Sequence, residues 1–185
     1  MDTAARNEQL LDRRSRLTEG LVSLPYDLIL YLERAVVHSD LGYPDLAAGD
    51  AYRALLLADE VLNEGFEYHD QALESLQMHT AVPLPDVLVH GNLPEDELHD
   101  SQGDSEGDDV VRRLATLASV RAYQILSLGL LLCGSLKSAA SFCQRGLKLC
   151  PSNRELLDTK NNINTVARRR LRRDDVDIDY PNLPD

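Results

Sequence analysis

The chain has no tryptophan, only two phenylalanines and only three cysteines. Aromatic residues make up 5% of its 185 residues, while leucine and alanine are frequent. That balance disfavours a β-sandwich and suits helices, and the length allows one domain with a sizeable core. The cysteines, Cys133, Cys143 and Cys150, are odd in number and show no CxxC spacing. They frame neither a disulfide scaffold nor a zinc site, and their apolar neighbours mark them as small packing residues. The N-terminal stretch MDTAARNEQLLDRRSR lacks the apolar segment of a secretory signal. The longest apolar run, Ile125 to Cys133, is too short to span a bilayer. A cytoplasmic or nuclear chain without a membrane partner is expected.

Positive charge is missing from a long central stretch. Between Ala54 and Val111 there are 15 acids and no Lys or Arg, whereas the rest carries 16 acids and 19 bases. The net charge of −12 therefore comes from that one stretch. Such a field repels nucleic acid and anionic membrane and favours basic partners, although a solvated acidic loop accounts for it equally simply. Residues 82–108 hold Pro83, Pro85 and Pro94 among their acids. They cannot bury enough apolar surface to order themselves and are expected to form a long disordered insertion.

Catalytic patterns are also missing. No GxGxxG, GxxxxGK[ST], GxSxG or HExxH occurs, and the five histidines are scattered. His69, Asp70 and Glu74 lie within about one helical turn, but on an otherwise polar face that reads as solvated. Cys133 lacks an evident basic partner and sits in apolar text, which argues against a nucleophile. No catalytic residue, metal or cofactor is expected.

What is present is helical periodicity. Apolar residues recur at spacings of three and four over 5–22, 26–40, 45–63, 67–80, 109–133, 136–149 and 153–172. Pro25 is placed to open the second helix, Gly42-Tyr43-Pro44 and Gly134-Ser135 mark turns, and Ser152 is placed to cap the last helix. The divisions expected are an N-terminal helix (1–24), a first hairpin with a short helix (25–81), the insertion (82–108), a second hairpin with a capping helix (109–173), and an acidic tail or linker (174–185).

Two of these hairpins share a register. Tyr31, Ala35, Gly42, Ala47, Ala54 and Leu55 are separated by 4, 7, 5, 7 and 1 residues. Tyr123, Ser127, Gly134, Ala139, Gly146 and Leu147 repeat that spacing, and Pro151 closes the second unit. Small residues at such positions let helices cross closely. The pattern resembles the tetratricopeptide repeat (TPR), whose 34-residue unit has an aromatic, a small residue, a turn glycine, an alanine, a small residue, a leucine and a closing proline in that order. The two units lie 92 residues apart, and the first lacks the closing proline. The resemblance implies an all-α fold of TPR-like antiparallel hairpins, about six or seven helices, with an atypical middle. The segment from Leu24 to Val61 also resembles the start of fungal TPR proteins that continue into a SET-type lysine methyltransferase region. No asparagine-histidine motif of a SET domain is found in this chain.

In TPR proteins the first helix of each hairpin lines a concave groove. Carried over by register, the groove positions are Ile29, Leu32, Val36 and Ser39, then Arg121, Gln124, Leu128 and Leu131. Most are apolar, without the Lys and Asn that grip a chaperone carboxylate, so a hydrophobic or helical partner segment is implied. Filling of the groove by the chain's own first helix or tail is the competing expectation. The function implied is a non-catalytic interaction module for a protein or peptide. Its alternatives are the substrate-positioning arm of a SET-type methyltransferase and a structural subunit of an oligomer. Ser101 and Ser105, each with an acid three residues on, fit acid-directed kinases. The run Arg168–Arg173 reads as a favourable helix C-terminus, with nuclear import or nucleic-acid contact as alternatives.

Overall fold

The structure, a computed structural model, describes residues 3–62, 69–80 and 106–174. Among the described residues there are seven helices and no strand: α1 (Thr3–Ser23), α2 (Leu28–Asp40), α3 (Pro44–Leu62), α4 (His69–Thr80), α5 (Glu106–Leu132), α6 (Leu136–Leu149) and α7 (Arg154–Asp174). The chain is thus all-α. The insertion falls outside the described residues except at its end, where α5 begins at Glu106, three residues before the expected start. Ser101, Ser105 and the tail from residue 175 also lie outside them.

The two matched turns are alike in detail. Gly42 and Gly134 adopt φ of 79° and 81°, a left-handed conformation that glycine enters without a Cβ penalty. At the first turn, Tyr43 N donates to His38 O (2.9 Å) and Gly42 N to Ser39 O (3.0 Å). At the second, Ser135 N donates to Leu130 O (2.9 Å) and Gly134 N to Leu131 O (3.0 Å). Both are Schellman closures, which satisfy the last carbonyls of α2 and α5 and reverse the chain into α3 and α6.

Two helix starts differ from expectation. Pro25 stands in the turn before α2 rather than inside it, and Asp27 is the N-cap. Asp27 Oδ1 accepts from Ile29 N at 2.9 Å and Leu30 N at 3.1 Å, which accounts for the burial of a carboxylate that is only 2% exposed. At α7 the side-chain cap is Asn153, not Ser152: Asn153 Oδ1 accepts from Leu156 N at 3.0 Å. With Asn153 as the cap, Glu155 does not stand at the capping-box position, and it pairs instead with Arg121 of α5.

The helices stack in the order α1, α2/α3, α5/α6, α7, each against the next. The alanine stripe of α3 (Ala47, Ala51, Ala54, Ala58) is buried and faces the core. Helix α5 lies directly on α3, and at their contact a Cβ added to Gly129 would come within 2.7 Å of Pro44 O and 3.1 Å of Ala48 Cβ. No middle hairpin separates the two matched units, and the short α4 rests at the side on α3, α5 and the edge of α2. On length and composition alone Val110–Leu132 could cross a membrane, a longer stretch than the Ile125–Cys133 run suggests. Within the stack 67% of its 18-residue apolar window is buried, and Ala115, Ala118, Val120 and Ala122 are fully so. The other helices supply the apolar surroundings that its composition asks for.

A candidate partner-binding cleft

Helices α2, α5 and α7 present one side of the stack to solvent, and a cleft of about 330 Å³ opens between them. Its positions follow helical spacing on each element: Val36, Ser39 and Asp40 on α2; Arg121, Gln124, Ile125 and Leu128 on α5; Glu155, Asp158, Thr159 and Asn162 on α7. Ile125 is buried at its base, Val36 is half-buried, and Leu128 is 38% exposed.

A polar chain ties α5 to α7 along one wall. Arg121 Nη1 donates to Glu155 Oε2 (2.6 Å) and to Gln124 Oε1 (2.8 Å). Gln124 Nε2 donates to the capping oxygen Asn153 Oδ1 at 2.9 Å. Gln124 and Asn153 are 4% and 2% exposed, so the pairing meets the rule that buried polar groups find partners. The same oxygen that starts α7 therefore fixes the floor of the cleft, and a ligand would meet a wall already in place.

Of the expected groove residues, Val36, Ser39, Arg121, Gln124 and Leu128 meet in this cleft. Ile29 and Leu32 do not: both are fully buried in the core. Leu131 is half-buried against the core and is not part of the lining. The signature residues lie elsewhere, at helix contacts. Ala35, Ala47, Ala54, Tyr123, Ala139 and Gly146 are buried, Tyr31 is half-buried beneath the Arg34 guanidinium, and exposed Pro151 follows α6. The resemblance does not point to Asp40, Asp158 or Asn162. On α7 only their spacing of four (158, 162) beside Glu155 and Thr159 signals a common face, and polar residues at that spacing read as a solvated surface. The lining is accordingly more polar and more acidic than the apolar groove expected. No residue of α1 lines the cleft, so the N-terminal helix does not occupy it.

Other polar groups serve the fold. Asp50, 8% exposed, accepts from Arg34 Nε (2.9 Å) and Nη2 (2.7 Å), and His38 Nδ1 lies 3.0 Å from Oδ2, the oxygen that also receives Arg34 Nε. The bond to Asp50 raises the Arg34 pKa, whereas burial, helped by Arg34 and Arg14, holds His38 below the ordinary histidine value against the pull of Asp50. The Cys143 thiol donates to Leu156 O at 3.2 Å, and burial pushes its pKa up, opposite to what a nucleophile needs. Among the described residues no group of three His, Cys, Asp or Glu could hold a metal ion.

No protein-family model, curated protein or solved structure matches the chain.

Proposed function

We propose that the chain is a non-catalytic protein–protein interaction module, a TPR-like stack of helical hairpins that holds a segment of a partner protein in the α2/α5/α7 cleft. One observation carries this reading. Three helices, far apart in sequence, each turn a face of helical spacing to the same open cleft, where apolar side chains lie beside polar groups whose positions are already fixed. Extended or helical peptide segments suit such surfaces, with apolar anchors for affinity and polar rims for register.

Affinity purification from source cells, read by mass spectrometry, tests it. The intact chain is compared with Val36→Asn/Leu128→Asn, which removes the apolar anchors without adding charge or touching buried Ile29 and Leu32. With circular dichroism unchanged, the variant is expected to lose the partners that the intact chain retains. Identical partner lists for the two proteins would refute the cleft as the binding site.

A further inference from the structure

We infer that the cleft selects a basic segment, one that places a Lys or Arg between Asp40 and Asp158 and an apolar side chain on Val36, Ile125 and Leu128. The inference rests on the cleft reading and adds the chemistry of its ligand. Three carboxylates and one guanidinium line the site. The guanidinium, Arg121, is already engaged by Glu155 at 2.6 Å. Among the described residues neither Asp40 nor Asp158 has an ion-pair partner, and both are exposed. The two stand on different walls, Asp40 in the last turn of α2 and Asp158 on α7, with the apolar residues of α5 between. Asp40 also sits at the negative end of the α2 dipole, so that wall favours a cation twice over. On two walls of one cleft these fields act on the same occupant.

The same charge argues against other occupants. Residues 82–109 carry nine acids and no base, and residues 175–185 carry four acids and no base. Neither segment complements an acidic cleft, and a nucleic-acid phosphate is repelled by it. An external basic segment remains, with apolar contacts that set its position while the charges set its identity.

A displayed library of random short peptides, selected on the intact chain, tests this without foreknowledge of a partner. Selected sequences are expected to be rich in Lys or Arg beside a leucine-like residue. Fluorescence anisotropy of the best of them should show affinity falling at least about fivefold with Asp40→Asn/Asp158→Asn and rising as salt is lowered. Asp12→Asn/Glu19→Gln removes the same charge from exposed positions on α1 and should change affinity by less than about twofold. A neutral or acidic selected pool, an empty pool, or equal losses from the two double variants would overturn the inference. Val36→Asn/Leu128→Asn separates the two readings. If it abolishes binding of neutral or acidic peptides, the cleft stands and its basic preference falls. If it leaves binding of basic peptides intact, the cleft reading falls as well.

Discussion

The two hairpins close through the same glycine turn, yet they are held together by different chemistry. Between α2 and α3 an ionic joint stands beside the buried apolar residues: Asp50 of α3 receives the Arg34 fork of α2 and faces His38. At the register positions of Asp50, Arg34 and His38 the second hairpin carries Phe142, Leu126 and Leu130, so the contact there is apolar. Ala139, Cys143 and Gly146 of α6 lie buried, and a Cβ on Gly146 would come within 2.8 Å of Tyr123 Cβ and 2.7 Å of Leu156 Cδ1. A shared register thus fixes where helices meet without fixing what holds them. The ionic joint gives one preferred partner geometry and a sensitivity to pH, while the apolar joint depends on volume alone.

Breaking the ionic joint should have the largest effect. Asp50→Ala leaves Arg34 at 19% exposure without its carboxylate and is expected to destabilise by about 3 kcal/mol in urea unfolding. Gly146→Val, which overfills the second joint, should cost about 2 kcal/mol, with Gly146→Ala smaller than that. A Gly146→Val protein as stable as the original would show that α6 can shift on α5 and α7. Loss of the α2 cap in Asp27→Ala comes next, at about 1 kcal/mol.

The pH response sharpens the contrast further. Folded His38 titrates below its unfolded value, so the unfolded chain holds the extra proton first as acid is added. The His38 contribution to stability is complete above about pH 6.5 and is lost as pH falls from there toward the folded pKa. Melting curves of the original and of His38→Gln should therefore diverge in this window, with the original losing more. Parallel curves would remove His38 as the cause. The smallest effect is chemical. A thiol reagent should modify exposed Cys133 in the folded protein and spare buried Cys143 and Cys150 until unfolding.

Much of the fold could be read from residue spacing because helices announce themselves locally. The glycine turns, the alanine stripe of α3 and the enclosed character of α5 all follow from periods of three and four. The errors arose where a nonlocal partner decided the outcome. Ser152 and Asn153 are both good caps, and Asn153 takes that role with its capping oxygen also held by Gln124 of α5. Ile29 and Leu32 share the register of groove residues, but in this stack they point into the core formed with the neighbouring helices. Half of the cleft was legible on α2 and α5. Its α7 wall was not, because Asp158 and Asn162 carry no mark that separates a binding face from a wet one.

The direct seating of α3 on α5 makes their connection a splice point. The chain leaves α3 after Leu62 and enters α5 at Glu106, and of the residues between, the described α4 touches only the side of the stack. For a flexible connection, doubling the length adds only about 0.6 kcal/mol of closure entropy. The length of the connection is therefore a weak constraint on the stack, but α4 within it is not dispensable, because its Ala72 and Leu76 are fully buried in the core. The packed hairpins and α4 form one cassette that a longer or shorter connection would leave in place.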